Sequence, residues 1–135
     1  MIVSTRGRYA LRVMIDLAEN GKDGFIPMKT IAQRQEISLK YLEQILPALT
    51  KAHLVEGVQG KGGGYRLCRK PEDYTVSEVL RLTEGGFAPV SCLKCDAQPC
   101  ERTDRCPTRP MWEGLETLIT DYFDNITIAH LMRKT

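Results

Sequence analysis

The sequence predicts a mainly α fold with a small β-wing, and three observations carry that expectation. Apolar residues recur at three- and four-residue steps over most of the chain, and two such stretches are short and lie only a few residues apart around Glu36-Ile37. Residues 54 to 69 depart from that period and are interrupted by Gly60-Lys61-Gly62-Gly63-Gly64. Together these features predict a winged helix-turn-helix domain followed by a long C-terminal dimerisation helix.

The first helix is carried by Tyr9, Ala10, Val13, Met14, Leu17 and Ala18, with Arg8, Arg12, Asp16 and Glu19 as the opposite, solvated stripe. Asn20-Gly21 ends it and Asp23-Gly24 continues the loop. Pro27 opens a short helix to about Gln35 with Met28, Ile31 and Ala32 facing the core, because proline fits a first helical turn. After a break near Glu36-Ile37, Ser38 is placed to cap a helix that buries Leu42, Ile45, Leu46 and Leu49. Pro47 lacks the N–H that would bond the Glu43 carbonyl, so a kink or change of pitch is expected there.

Two short helices so arranged form a helix-turn-helix, whose second helix presents its N-terminal residues to base edges in the major groove. Those residues are Ser38, Lys40, Tyr41, Glu43 and Gln44. Lysine can donate to guanine, glutamine can pair with adenine, and glutamate can accept from the cytosine amino group. The next segment reads as two strands around a glycine-rich tip, with Lys61 at the tip and Arg66 and Arg69 behind it, suited to lie along a DNA backbone or minor groove. Thr5 and Arg8 at the start of the first helix, Lys29 on the second, and Gln59, Gly62 and Gly63 at the tip complete the candidate DNA-binding set. The glycine run lacks Walker spacing and no dinucleotide fingerprint precedes a helix, which discounts nucleotide binding.

Charge agrees with this division. The net charge of the 135-residue chain is only +2, but residues 1 to 70 hold twelve Lys/Arg against six Asp/Glu, and residues 71 to 135 hold seven against eleven. A basic first part suits phosphate, and an acidic second part is repelled by it. No apolar run approaches the roughly 18 residues of a membrane span, and Met1-Ile2-Val3-Ser4-Thr5-Arg6 is not a signal peptide, so a cytoplasmic chain with no membrane partner is expected.

Thr75-Val76-Ser77-Glu78 matches a capping box for a helix ending before Gly85-Gly86. Cys92, Cys95, Cys100 and Cys106 then fall within fifteen residues, in a stretch poor in apolar side chains. Ionised thiolates this dense repel one another, so a cation or an iron-sulfur cluster would absorb their charge; structural zinc and a metal-free thiol switch are the other uses open to them. Cys68 stands apart and is expected to be a small buried apolar residue. A helix from about Pro110 carries Met111, Trp112, Leu115, Leu118, Ile119 and Tyr122 at helical steps, and Thr127 is placed to cap a last short helix. A small DNA reader needs two recognition helices about 34 to 36 Å apart to read a palindrome, which makes Trp112, Leu115, Leu118, Ile119 and Tyr122 the candidate dimer seam. The expected organisation is a DNA-binding domain over 1–84, a cysteine-rich loop over 85–107, and a dimerisation helix with its tail over 108–135.

Four segments resemble the Rrf-two family of bacterial winged-helix regulators: Thr5-Arg6-Gly7-Arg8-Tyr9-Ala10, Ile37-Ser38-Leu39-Lys40-Tyr41-Leu42-Glu43-Gln44, Gly62-Gly63-Gly64-Tyr65 and Asn125-Ile126-Thr127-Ile128. The resemblance spans essentially the whole chain. It implies a homodimer joined through the C-terminal helix, binding double-stranded DNA at a palindromic operator, usually as a repressor. In one branch three loop cysteines hold an iron-sulfur cluster, [2Fe-2S] or [4Fe-4S], that senses nitric oxide, redox state or iron-sulfur status. In another those cysteines are missing and a partner protein regulates. Cys92, Cys100 and Cys106 fall at the positions of the three ligands, with a first gap of seven residues and a second of five. Arg109 and Arg8 stand where some members place a histidine and a carboxylate, so Cys95 is the candidate fourth ligand beside an exogenous ligand or another carboxylate. A small electron carrier on a winged-helix scaffold is a competing use, disfavoured by the basic first part. No cysteine-histidine pair, paired carboxylates or nucleotide loop suggests an enzyme.

Overall fold

The computed structural model describes residues 3–94, 97–98 and 100–133, with the backbone alone at residue 23. The helices are α1 (Thr5–Glu19), α2 (Met28–Gln35), α3 (Leu39–Lys51), α4 (Val76–Glu84), α5 (Arg109–Asp124) and α6 (Ile128–Leu131). Strands β1 (Val55–Val58) and β2 (Gly64–Leu67) pair antiparallel, with Val55 opposite Leu67 and Val58 opposite Gly64.

The periodicity of the sequence translates into burial for the helix-turn-helix. Ala10, Val13, Met14 and Leu17 of α1, Ile31 of α2, and Leu42, Ile45, Leu46 and Leu49 of α3 meet in one core with Leu54, Val55, Tyr74 and Ile128. Each fully buried leucine or isoleucine contributes roughly 1.5–3 kcal/mol against the entropy of ordering the chain. Pro27 is the residue before α2 rather than its first helical residue, with extended φ/ψ. α2 ends on Glu36 in the left-handed region, φ 55°, which turns the chain sharply into α3. Ser38 caps α3 by accepting a hydrogen bond from the Tyr41 N–H at 3.1 Å. α3 runs on through Pro47 to Lys51 as one assigned helix.

Asp16 is placed differently from its expected position on a solvated stripe: it is 1% exposed. Its carboxylate accepts from Arg34 Nε at 3.0 Å, from the second Arg34 nitrogen at 2.7 Å and from Gln35 Nε2 at 2.9 Å. Helical period put Asp16 beside Arg12, but α2 folds over that flank of α1 and supplies the donors that make burial of a charge tolerable. Arg12 reinforces the same joint by donating to the Gln35 carbonyl and, at 3.3 Å, to its side-chain oxygen.

The wing is tied down at both ends. Ile26 and Tyr65 exchange backbone hydrogen bonds of 2.8 Å in each direction, adding a one-residue bridge to the hairpin. Gly64 is obligatory there: its φ is 150°, and a Cβ would lie 2.3 Å from Ile26 backbone atoms. At the base, the buried Tyr74 hydroxyl donates to the Leu54 carbonyl at 2.6 Å and accepts from the Cys68 and Arg69 N–H groups at 3.0 and 2.9 Å. Burial pushes the Tyr74 phenol pKa up.

α4 starts with half of the anticipated capping box. Thr75 Oγ1 accepts from the Glu78 N–H at 3.1 Å, but the Glu78 carboxylate turns away to pair with Arg69 at 2.5 Å. Val76 and Leu80 form a second apolar cluster with Phe87, joined by Val3, Leu11, Ile119, Phe123 and Ile126. Thr127 caps α6 by accepting from the His130 N–H and donates its own N–H back to His130 Nδ1, and Ile128 drops into the main core. Cys68, expected to be buried, is exposed. It follows the end of β2, and its backbone N–H is drawn inward, to the Tyr74 hydroxyl and the Leu54 carbonyl.

Asp16→Ala should lower stability by about 2 kcal/mol, since it removes charge-assisted hydrogen bonds and leaves their donors under-satisfied. Urea unfolding followed by circular dichroism would read this as a reduced midpoint at unchanged slope. A midpoint equal to that of the unaltered protein would remove Asp16 from the joint.

Candidate nucleic-acid interface and cysteine loop

The helix-turn-helix leaves the polar candidate residues uncovered. Ser38, Lys40, Glu43 and Gln44 are exposed along the first turns of α3, because the buried residues Leu42, Ile45, Leu46 and Leu49 occupy the opposite side. Tyr41 is half-buried, its ring edge-on to Tyr9 with centroids 5.2 Å apart. Thr5 and Arg8 are exposed on the first turns of α1, with an Arg8 nitrogen 3.1 Å from Thr5 Oγ1. Lys29 is exposed on α2.

The wing tip, residues 59 to 63, carries exposed Gln59, Lys61 and Gly62. Gly60 and Gly62 adopt φ of 94° and 78°, and a Cβ on Gly63 would lie 2.2 Å from the Val58 carbonyl oxygen. These requirements compress the tip into a turn closed by a 3.0 Å hydrogen bond from the Gly63 N–H to the Gly60 carbonyl. Arg66 and Arg69, expected from sequence to stand behind a DNA-facing tip, are exposed and also make contacts within the fold. Arg66 pairs with Glu56 and lies 4.3 Å from the Phe25 ring centroid. Arg69 pairs with Glu78 and lies 4.2 Å from the Tyr74 ring centroid.

An open cleft of about 410 Å³ separates the end of α3 from the wing, lined by Pro47, Thr50, Lys51, Gly57, Val58, Gln59 and Tyr65. Thr50 and Lys51 were not among the sequence candidates. Their only signal was a polar pair at the end of the recognition helix, and nothing local placed the wing opposite them.

The cysteine loop joins α4 to α5. Cys92 lies half-buried in a short 3-10 turn, Ser91–Leu93; Cys100 is exposed; Cys106 is half-buried just before α5. Cys95 lies outside the described residues. The described cysteines are free thiols, so their donor chemistry suits a soft metal or a cluster. Among the described residues, however, no three His, Cys, Asp or Glu side chains converge as a metal site.

Electrostatics separate the thiols. Hydrogen bonding to Thr108, whose Oγ1 is 3.4 Å from Cys106 Sγ, and to the Thr108 and Arg109 backbone holds the Cys106 thiol below its ordinary range. Partial desolvation, then the Glu56 carboxylate, pushes the Cys68 thiol up although the residue is exposed.

α5 is apolar on two sides. Ile119 and Phe123 pack on the second cluster, while Met111, Leu115, Leu118 and Tyr122 form an outward stripe, with Leu118 69% and Tyr122 68% exposed. Of the five candidate seam residues, Leu115, Leu118 and Tyr122 lie on that stripe, Trp112 is half-buried, and Ile119 faces the chain's own core. No described helix is long and apolar enough to cross a membrane.

A lowered pKa means a larger thiolate fraction at a given pH, and the thiolate is the species that is alkylated. In metal-free protein, the pH profile of Cys106 alkylation should therefore lie below that of Cys68. Iodoacetamide labelling followed by peptide mass spectrometry would check this, and coincident profiles would contradict it.

Comparison with known proteins agrees with this geometry. Residues 3–134 match the family model described as "Rrf2: Iron-dependent Transcriptional regulator". The chain is 40% identical over 134 residues to the HTH-type transcriptional regulator IscR of Photobacterium profundum, covering 98% of this chain and 76% of that protein. It is similar to the solved structure of T. potens IscR, with a TM-score of 0.76, 37% identity, and coverage of 97% of this chain and 85% of the other. It is also similar to the structure of CymR, the global cysteine regulator of B. subtilis, with a TM-score of 0.79, 33% identity, and coverage of 97% and 95%. An exposed recognition helix, a glycine-tipped wing and a match along nearly the whole chain thus lead to one conclusion: this chain belongs to the Rrf2 family of DNA-binding, helix-turn-helix transcriptional regulators.

Proposed function

We propose that the chain acts as a homodimeric repressor whose affinity for a palindromic operator is set by an iron-sulfur cluster held by Cys92, Cys100 and Cys106. The observation that carries this reading is the position of the loop. Its free thiols lie between α4, which packs on α1, and α5, which presents an uncovered apolar stripe. The family description as iron-dependent and the similarity to proteins named IscR support the same reading. Cys95 is the proposed fourth ligand, with an exogenous ligand or a carboxylate as the substitute.

In this mechanism Lys40, Glu43 and Gln44 reach base edges, with Ser38 and Tyr41 at the start of the same helix. Thr5, Arg8, Lys29, Gln59, Lys61, Gly62 and Gly63 hold sugar-phosphate. Leu115, Leu118 and Tyr122, extended by Met111 and flanked by Trp112 and Ile119, bring two copies together so that both recognition helices face one side of the duplex. When bound, a cluster supplies a redox-active group that reacts with nitric oxide or oxygen, and whose loss unlinks the loop. The cysteine side chains then cease to fix the path between α4 and α5. This changes the spacing of the two DNA-reading units.

A second reading is favoured by the structural likeness to CymR, including the oxidized form of the Staphylococcus aureus protein at a TM-score of 0.78 and 32% identity. In it the loop holds structural zinc or works as a thiol switch, or a partner protein controls the repressor.

Iron, acid-labile sulfide and zinc content, measured with a visible spectrum on protein purified without oxygen, separates the two. Iron with sulfide is expected, and Cys92→Ala, Cys100→Ala and Cys106→Ala should each abolish the visible absorption. Zinc alone, or no metal, would favour the second reading. Lys61→Ala should weaken binding to all DNA and reduce the salt dependence by about one unit of slope. An unaltered slope in a fluorescence-anisotropy titration would take the wing tip off the phosphates.

A further inference from the structure

The cysteine loop begins immediately after α4, and the last residue of α4, Glu84, is hydrogen-bonded to the beginning of α1. Its Oε1 accepts from the Ser4 N–H at 2.9 Å and from the Ser4 hydroxyl at 2.7 Å. Ser4 is itself the N-cap of α1, accepting from the Gly7 N–H at 3.0 Å. A carboxylate, a hydroxyl and a backbone N–H thus form a clasp between residues 80 positions apart. Gly7 permits it: a Cβ there would lie 2.3 Å from Glu84 Oε1 and 3.0 Å from Thr83 Oγ1.

Helix electrostatics make the clasp directional. A carboxylate at the C-terminal end of α4 is disfavoured by the partial negative charge of its own helix, and it is stabilised by the positive N-terminal end of α1. Glu84 is therefore held by α1 rather than by the helix that carries it. The second apolar cluster makes the connection mechanical as well. It contains Val3 ahead of Ser4, Leu80 of α4, Phe87 at the entry to the loop and Ile119 beyond its exit. The entry of the loop and the middle of the helix that follows it thus pack where α1 begins, and Thr5 and Arg8 lie on the first turn of α1.

We propose that Glu84 is a positioning residue that transmits the state of the cysteine loop to the DNA-contacting start of α1. This rests on the cluster-controlled reading above. With the loop held by its thiols, Gly85 and Phe87 keep the end of α4 in register, and Glu84 fixes the N-cap of α1. When the loop is released, the end of α4 is no longer constrained from the far side, the clasp opens more often, and Thr5 and Arg8 lose their fixed height above the phosphates.

The test compares operator affinity of cluster-loaded and cluster-free protein for the wild type, Glu84→Ala and Glu84→Gln, with amide exchange of residues 4 to 8 followed in parallel. Glutamine keeps a side-chain oxygen that can accept from Ser4, and alanine does not. The wild-type affinity ratio is expected to be on the order of tenfold and to fall to about twofold or less in Glu84→Ala, while Glu84→Gln retains it. Amides 4 to 8 should exchange faster after cluster removal in the wild type and equally fast in both states of Glu84→Ala. Should Glu84→Ala lose its fold, Ser4→Ala removes the hydroxyl donor of the clasp while leaving its N–H donor, and should lower the affinity ratio part of the way, an unchanged ratio again counting against the clasp. A Glu84→Ala protein that keeps the wild-type ratio and exchange difference would overturn the role of Glu84 alone. A wild type whose operator affinity ignores the cluster would overturn the cluster-controlled reading, and this role with it.

Discussion

The helix-turn-helix is organised around a carboxylate that has almost no access to water. Asp16 is buried on α1, and its charge is tolerable only because Arg34 and Gln35 meet it with directed donors. That requirement fixes how α2 crosses α1. With α2 in place, Glu36 in its left-handed conformation and the Ser38 cap set the direction in which α3 departs. An apolar residue at position 16 could fill similar volume, but it would not select one crossing angle over its neighbours. The exposed side chains of Lys40, Glu43 and Gln44 on α3 thus depend on a contact between α1 and α2, outside the helix that carries them.

The wing uses the same strategy with a neutral group. Two short strands are marginal by themselves, and the Tyr74 hydroxyl supplies what they lack by joining Leu54, before the hairpin, to Cys68 and Arg69, after it. Ile26 holds the hairpin from the side. The tip is left with few contacts of its own, and its glycines allow a turn compact enough to approach a surface. A rigid base with an adaptable end suits a segment that follows the irregular contour of a duplex backbone. The division of α5 completes the plan: Ile119 and Phe123 anchor it to its own chain, while Leu118 and Tyr122 are turned outward.

Much of this was legible in the sequence because it depends on residues close together along the chain. The buried face of α3 follows from a period of 3.6, the caps at Ser38 and Thr127 from one side chain reaching three residues forward, and the hairpin tip from a glycine run. The misreadings share a cause. Asp16 and Arg12 were assigned to solvent because a helical wheel contains only one helix. A positive charge near a glycine loop likewise does not reveal that Glu56 or Glu78 pairs with it. Cys68 was expected inside because cysteine is commonly buried, and the sequence could not show that β2 ends just before it and leaves it exposed.

The sequence by itself determined the order of elements, the identity of the exposed residues at the start of α3, and the grouping of thiols in one polar loop. These follow from local periodicity, capping and composition. Tertiary structure alone decided which polar residues are consumed in holding the fold together, which side of α5 remains uncovered, and that the end of α4 touches the start of α1. The bond between Ser4 and Glu84 spans 80 residues, and the Tyr74 bond to Leu54 spans 20. No local pattern encodes either contact, because each exists only after burial of the apolar faces has brought the two segments together.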